Sequence, residues 1–321
     1  MEIKNIVEQI IAKVKDIQNV YFVGCGASNA DLYPAYYFVL HNSTLKTALI
    51  TANEFNYDTP ADLNEHSVVV TASLGGTTPE TVNATSKAKE LGANVITLTN
   101  EEGSPITRDA DYVIVHGFRE SYAAKVEKMT YALKIAVEIV EQTKGYEYYE
   151  QMQQGFNKLP ELIEKSVKLV SLQAKQFAQA YKNDSQIYVL GSGATFDVAY
   201  ATSLCLFMEM QWINSASVHS GEFFHGALEI TDKDVPFILF MNEGKTRALD
   251  ARVLEFLNRF DAKVTVLDSK DFGLSSVVGA DVCDYFNPML LTTVMRVYAE
   301  ALGEIRQHPL TKRRYMWKLE Y

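Results

Sequence analysis

The residues with the clearest chemical potential are a glutamate and a histidine placed 16 positions apart. Glu209 lies in the apolar segment Val198–Ile213 and is the only Asp, Glu, Lys or Arg between Asp197 and Glu222. Burial raises the pKa of a carboxyl group, and a carboxyl that titrates closer to neutrality is suited to carrying a proton. His225, in the segment SGEFFHG, is a second acid–base candidate. The alternatives are a Glu209 that reaches solvent or an arginine at the helix edge, and a structural His225.

Two loops rich in glycine and hydroxyl residues have the composition of a phosphate site. GCGASNA begins at Gly24 and SLGGTTPET begins at Ser73, each directly after an apolar run. Glycine lets the backbone approach an anion closely, and the first turn of a following helix presents unpaired N–H groups. Two tight turns with ordinary helix caps are the alternative. The candidate phosphate-binding residues of these loops are the glycines Gly26, Gly75 and Gly76 and the hydroxyl residues Ser28, Ser73, Thr77 and Thr78.

Apolar, β-branched runs that alternate with helical patterns must position these loops. The runs are Val20–Val23, Val68–Ala72, Val95–Thr99 and Tyr112–Val115. Such continuous hydrophobicity is typical of parallel strands that are covered on both faces, so the sequence predicts a doubly wound α/β fold. In these sheets ligands bind beyond the carboxyl ends of the strands, where both loops fall.

The pattern occurs twice, which predicts an internal duplication. GCGAS at Gly24 is echoed by GSGAT at Gly191, 167 positions later, and ANVITLTN at Ala93 by AKVTVLDS at Ala262, 169 positions later. GGTTPET is echoed weakly by EGKTRAL, so we expect only the first half to bind phosphate well. The predicted domains are residues 1–145, residues 146–305, and a tail over 306–321 that packs back at the active site.

Composition indicates a globular protein and excludes several classes of partner. The chain has 321 residues, of which 47% are hydrophobic and 22% charged, and its net charge is −10. Without a basic stripe, electrostatic binding to nucleic acid or to an anionic membrane is not expected. Cys25, Cys205 and Cys283 form no CxxC pair, and no segment approaches the ~20 apolar residues that span a bilayer. The sequence predicts a soluble cytoplasmic protein with no metal or other cofactor.

The motifs together resemble the double sugar isomerase (SIS) domain proteins. The shared features are GCGAS, a strand ending in S-x-G-G-x-T, and the arrangement from Glu209 to Gly226, and the resemblance covers essentially the whole chain. It implies two tandem SIS domains, each a flavodoxin-like three-layer α/β/α unit. SGEFFHG and the tail RRYMWKLEY are most similar to the fructosamine-6-phosphate deglycases, notably those acting on fructose-asparagine 6-phosphate.

The resemblance assigns the two loops to a sugar phosphate. Ser28, Ser73 and Thr78 match family positions that hold the phosphate, together with backbone amides around Gly75 and Gly76. Gly75 stands where the family has a serine, so contact at that position must come from the backbone.

The resemblance also implies the catalytic residues. Glu209 matches the glutamate that moves a proton between C1 and C2, and His225 matches a histidine linked to ring opening and acid catalysis. Lys318 matches a lysine near the chain end that reaches into the site. Leu206 departs from the pattern, because the amino-sugar synthases of the family have a lysine there.

The implied activity is the cleavage of a 6-phosphofructosyl amino acid to glucose 6-phosphate and the free amino acid. An aldose–ketose isomerase of amino-sugar phosphates and a non-catalytic phosphosugar sensor are the alternatives. The resemblance further implies a homodimer with the active site near its interface, so that His225 serves either its own or the neighbouring subunit's site. The residues that select the amino acid stay open among Glu54, Glu222, Arg314 and Tyr315.

Overall fold

A computed structural model describes residues 2–320 of the chain. The chain divides into two compact units, Met1–Phe156 and Asn157–Tyr321. The division falls inside a helix, Tyr149–Leu169, and not at the predicted boundary of 145/146. The first turns of this helix belong with the first unit because Tyr149 Oη donates a hydrogen bond to the Glu138 carboxylate at 2.6 Å. The tail after residue 305 is part of the second unit.

The first unit contains a five-stranded parallel sheet in the order β2-β1-β3-β4-β5. Every residue of its three central strands is buried, which explains their continuous apolar sequences. The edge strand β2 is absent from the sequence prediction because its partly exposed sequence KTALIT has an apolar run of only three residues, 48–50. The strands are β1 (Asn19–Gly24), β2 (Lys46–Thr51), β3 (Ser67–Ala72), β4 (Asn94–Thr99) and β5 (Tyr112–Val115), and the helices are α1 (Ile3–Val14), α2 (Ala27–Asn42), α3 (Ala52–Tyr57), α4 (Pro79–Glu90) and α5 (Glu127–Lys144).

The second unit contains a four-stranded parallel sheet in the order β7-β6-β8-β9. The strands are β6 (Gln186–Gly191), β7 (Asn214–His219), β8 (Pro236–Met241) and β9 (Lys263–Asp268). The helices are α6 (Tyr149–Leu169), which begins in the first unit, α7 (Ser171–Tyr181), α8 (Phe196–Ala201), α9 (Arg247–Arg259), α10 (Leu274–Val278) and α11 (Cys283–Ile305). Corresponding strands of the two sheets begin at residues 19 and 186, 46 and 214, 67 and 236, and 94 and 263, which are 167–169 positions apart. The repeat predicted from the sequence is therefore present in the fold, and both sheets confirm the α/β class.

Each unit has its own apolar core between strands and helices. Val69 of β3 packs with Ala88 of α4 in the first unit, and Leu239 of β8 packs with Leu257 of α9 in the second. Full burial of a large apolar side chain such as Leu239 or Leu257 stabilises the folded state by about 1.5–3 kcal/mol. These clusters therefore hold in place the strand ends from which the loops leave. No helix within residues 2–320 is long and apolar enough to cross a membrane.

Two helical segments depart from a single regular α-helix. Residues 149–181 form two helices, α6 and α7, which are separated at Val170. The apolar segment 198–213 is not one α-helix, because α8 is followed by a π-helix over Thr202–Glu209. Trp212 then adopts a left-handed conformation with φ of 56°, which turns the chain into β7. Glu209 is therefore the last residue of a π-helical segment, a rare conformation that is frequent at functional sites.

Gly76 provides a test of the β3–α4 loop. Its φ is +63°, and a Cβ atom there would lie 2.0 Å from Ser104 Oγ. We expect Gly76→Ala to lower the free energy of unfolding of the first unit by about 2–4 kcal/mol, because strain and a steric clash add. Gly75→Ala is the matched control, since its Cβ would meet nothing closer than Thr77 Oγ1 at 3.8 Å. Urea unfolding of both variants measures the difference, and equal losses would contradict this account.

Candidate active site

The loop between β1 and α2 places Ser28 in the first turn of a 16-residue helix. Gly26 precedes this helix with φ of +53°, and a Cβ atom there would meet nothing within 4 Å, so the turn borders open space. The amides of Ser28 and Asn29 donate to the Cys25 carbonyl at 3.1 and 3.4 Å. Because the Ser28 amide is used within the turn, its hydroxyl is the group that it can offer to an anion.

The loop between β3 and α4 contributes a second pair of hydroxyls. Ser73 is buried, and its hydroxyl lies 3.0 Å from the Thr78 hydroxyl. Thr78 precedes the first residue of α4, and Gly75 is partly exposed. The Gly76 amide donates to the Ser73 carbonyl at 3.2 Å. Gly76 therefore acts in this structure through the turn that it permits, since its own amide is already hydrogen-bonded.

A buried lysine, Lys128 on α5, contacts the first loop and is absent from the sequence predictions. It is only 5% exposed, and its Nζ atom donates to Ser28 Oγ at 2.8 Å and pairs with Asp31 Oδ2 at 3.0 Å. The spacing of apolar residues along α5 could have identified this lysine as buried. Lys128 lies on the same helix face as the buried Ala132 and Ile135, four and seven positions later. A lysine in such an apolar stripe requires a buried partner.

The corresponding loops of the second unit are filled by the chain's own carboxylates. Asp250 is fully buried and accepts a hydrogen bond from Asn242 Nδ2 at 2.8 Å, and burial raises its pKa to about 6. A Cβ atom on Gly244, which the sequence pairs with Gly76, would lie 1.9 Å from Asp284 Oδ1. Carboxylates in this position repel a phosphate, which supports the expectation that the first unit is the better phosphate receptor.

Glu209 is held by an arginine of the tail. Arg313 Nη2 lies 2.5 Å from Glu209 Oε1, and the two side chains are 8% and 22% exposed. Burial raises the pKa of Glu209, and the charge and hydrogen bond of Arg313 partly oppose that rise. The sequence offered a buried carboxyl and, as the alternative, a carboxyl that reaches an arginine. The structure shows both features, since Glu209 is largely buried and is also paired with Arg313. The sequence did not single out Arg313, because it lies between two other cations, Lys312 and Arg314.

The tail is fixed in place around the end of the π-helix. Arg313 Nη1 donates to the carbonyls of Leu310 and Lys312 at 2.7 and 3.0 Å. The Arg314 guanidinium lies 4.3 Å from the centre of the Trp212 ring. Lys318 Nζ donates to the Arg313 carbonyl at 2.7 Å, so this lysine supports the segment that carries the Glu209 partner. A direct role of Lys318 in catalysis stays a prediction.

Two histidines between the π-helix and β8 differ in their surroundings. His219 ends β7, and its Nδ1 atom accepts a hydrogen bond from the Gly221 amide at 3.0 Å, which agrees with a structural role. His225 ends the 3-10 helix Phe223–His225, in which the buried Phe223 is the anchor and the histidine itself is exposed. Within residues 2–320, no group of three His, Cys, Asp or Glu side chains is placed to ligate a metal ion.

Comparison with known proteins identifies the family. The family model described as the SIS domain matches residues 13–131. Fructosamine deglycase FrlB of Bacillus subtilis (strain 168) is 39% identical over 310 residues, covering 96% of this chain and 94% of that protein, and fructoselysine 6-phosphate deglycase of Escherichia coli O157:H7 is 23% identical over 98% and 89%. A crystal structure of a candidate phosphosugar isomerase from Salmonella typhimurium LT2 superimposes with a TM-score of 0.95 at 39% identity, covering 100% of this chain and 98% of that chain. The chain belongs to the SIS-domain family.

Proposed function

We propose that this chain is a fructosamine-6-phosphate deglycase, which cleaves a 6-phosphofructosyl amino acid to glucose 6-phosphate and the amino acid. Glu209 carries the proposal. Its carboxyl is largely buried at the end of a π-helix, and its pKa is raised by burial while Arg313 favours the ionised form. Such a carboxylate can both accept and return a proton. The 39% identity to a protein named fructosamine deglycase supports the choice of reaction.

The first unit binds the phosphate in this proposal. The hydroxyls of Ser28, Ser73 and Thr78 lie in the two loops at the carboxyl ends of β1 and β3, with Gly26, Gly75 and Gly76 shaping the turns. A phosphate lies at C6, distant from the reacting C1 and C2 atoms. Its binding energy therefore orients the sugar without touching the chemistry, which raises the effective concentration of the reacting groups.

The chemistry at C1 and C2 needs one proton carrier and one water molecule. The Glu209 carboxylate removes a proton from C1 of the open ketoamine, while the protonated ketoamine nitrogen passes a proton to the C2 carbonyl oxygen, and the enaminol forms. The Glu209 carboxylic acid then returns its proton to C2, which leaves a protonated imine between C1 and the amino-acid nitrogen. Water adds to C1 and its two protons pass to the nitrogen, so that the C1–N bond breaks, C1 becomes an aldehyde and the amino acid leaves as an ammonium ion. The sugar product is the aldose glucose 6-phosphate.

His225 opens the sugar ring by proton transfer, and Lys318 steadies the developing oxyanion in this mechanism. The exposed side chain of His225 is accessible to a second copy of the chain. We therefore include a homodimer in the proposal, with His225 serving the neighbouring subunit's site.

Within the class of 6-phosphofructosyl amino acids, the specific substrate that we propose is fructose-asparagine 6-phosphate. A panel of 6-phosphofructosyl amino acids with asparagine, lysine and other leaving groups tests it, with glucose 6-phosphate and free amino acid measured together. Equal molar release of both products is expected, with the highest kcat/KM for the asparagine compound. An aldose–ketose isomerase is the second candidate, favoured by the structural match to a candidate phosphosugar isomerase. Interconversion of sugar phosphates without release of an amino acid would establish that alternative instead.

Glu209→Gln tests the proton carrier. The variant keeps the size of the side chain but cannot accept a proton, so we expect deglycase turnover to fall by at least ~10³-fold. Glu255→Gln, at an exposed position on α9, is the matched control and should retain wild-type turnover. Calorimetric binding of fructose 6-phosphate should change little in either variant. Near-normal turnover by Glu209→Gln would remove this residue from the mechanism.

His225→Asn tests both acid–base assistance and its location. We expect turnover to fall by ~10²–10⁴-fold. Mixing inactive Glu209→Gln subunits with inactive His225→Asn subunits should restore up to about a quarter of wild-type activity, because half of the dimers then hold one intact site. An unrestored mixture that is shown to contain heterodimers would place both residues of one site in the same subunit.

Arg313→Met tests the electrostatic role of the tail. Arg313 lowers the pKa of Glu209 against the effect of burial, so its removal raises that pKa further. The carboxylate is the active base, and activity is lost as the pH falls through its pKa. The acid limb of the kcat/KM profile should therefore move to higher pH in Arg313→Met and stay in place in Lys312→Met. An unmoved limb in Arg313→Met would show that this ion pair does not set the protonation of Glu209.

A further inference from the structure

We propose that Lys128 prepares the β1–α2 loop for a phosphate monoester by fixing Ser28 as a hydrogen-bond donor and by placing a positive charge beneath the loop. The inference rests on the proposed function in requiring a phosphorylated ligand in the first unit. It goes beyond that function because it assigns a positioning residue from outside both glycine-rich loops. Lys128 lies 100 positions after Ser28 in the sequence, and α5 brings the two together.

The hydrogen bond between the two residues has only one possible direction. An ammonium group has three donors and no acceptor, so Ser28 Oγ must accept from Lys128 Nζ at 2.8 Å. The Ser28 hydroxyl hydrogen is then left to donate to another acceptor. The neighbouring Gly26 borders open space, with nothing within 4 Å of a Cβ atom there. A phosphate oxygen on that open side would receive a hydrogen bond from a hydroxyl that is already polarised by a cation.

The burial of Lys128 indicates a role besides packing. Removing an ammonium group from water is unfavourable, and Asp31 at 3.0 Å compensates for part of the loss. Replacing a buried ion pair by apolar residues is often neutral or stabilising, so stability alone does not account for this pair. His116 lies nearby, and its pKa is lowered by burial and by the charge of Lys128. Both effects favour the neutral imidazole, and the carboxylate that pairs with Lys128 is that of Asp31.

The second unit provides an internal comparison. Lys128 is the second residue of α5, the last long helix of its unit, and Asp284 is the second residue of α11, the last long helix of the other. Lys128 contacts Ser28 of the first glycine-rich loop. Asp284 lies against Gly244 in the segment EGKTRAL, which corresponds to the second glycine-rich loop. The second residue of the last long helix is thus a cation beside the open β1–α2 loop in the first unit and an anion beside a filled loop in the second. A difference of charge sign is expected if one unit receives phosphate and the other does not.

Binding of inorganic phosphate and of fructose 6-phosphate to the full-length chain, measured by calorimetry, tests the proposal without requiring turnover. Lys128→Met should raise both dissociation constants by about 10- to 100-fold, the range for losing one charge-assisted interaction. Lys128→Met combined with Asp31→Asn should do the same, and it leaves no uncompensated buried carboxylate if the single variant folds poorly. Lys134→Met is the matched control. That lysine is on the same helix but lies over the rings of Tyr131 and Phe156, so phosphate affinity should not change.

Each outcome of this experiment is decisive. Wild-type affinity in the folded double variant would overturn the proposal and leave Lys128 as a structural ion pair. Failure of the wild-type chain to bind either phosphate would overturn it as well. With a phosphofructosyl amino acid as substrate, KM should rise while kcat stays near the wild-type value, because the phosphate is bound equally in the ground and transition states. If the wild-type chain binds fructose 6-phosphate through Lys128 but cleaves no fructosyl amino acid, the deglycase proposal fails and this inference stands.

Discussion

The cost of burying a charge is the constraint on which the second unit depends. Glu209 loses hydration at the end of the π-helix, and the guanidinium of Arg313 is the compensating partner. That guanidinium is itself mostly buried and is held by two carbonyls of its own segment. Removing one member of such a pair typically costs 3–5 kcal/mol because the other charge is left uncompensated. The path of the tail, including its contacts with Trp212, follows from the need to bring this arginine to one carboxylate.

The two units show how one fold can be adapted in opposite directions. Their strands share an order and a spacing of 167–169 residues, so the loops at the carboxyl ends have the same origin. In the first unit the β1–α2 loop borders open space at Gly26 and is supported by a buried lysine. In the second unit Asp250 and Asp284 occupy the corresponding region. The open loop suits an anionic ligand, and the filled loops leave the second unit to contribute through the π-helix and the segment after β7.

Sequence reasoning succeeded where a physical requirement acts over a short stretch of chain. The strands β1, β3 and β4 are buried on both faces, so their apolar runs are continuous and could be identified directly. Glu209 stands out as a lone charge in an apolar segment. The apolar run of the edge strand β2 is only three residues long, because its partial exposure permits polar residues at the other positions.

The residues that sequence reasoning missed depend on partners far along the chain. Lys128 is explained by Ser28, 100 positions away, and Arg313 by Glu209. No local pattern distinguishes Arg313 from the cations on either side of it. The π-helix was also missed, because its apolar sequence fits an α-helix equally well; it packs against β6 and β7, which are distant from any local pattern within it.

The π-helix also makes the direction of the Glu209 carboxylate sensitive to insertions and deletions in the segment before it. Each residue of a helix rotates the chain by roughly 100°, and a π-helical segment holds an extra residue relative to regular α-helix. Loss of a single residue between Thr202 and Glu209 would restore ordinary helical winding and redirect the carboxylate, while the strands on either side kept their places. Divergence of chemistry within this fold can therefore proceed through a one-codon deletion or insertion in this segment, without any exchange of the acidic residue itself.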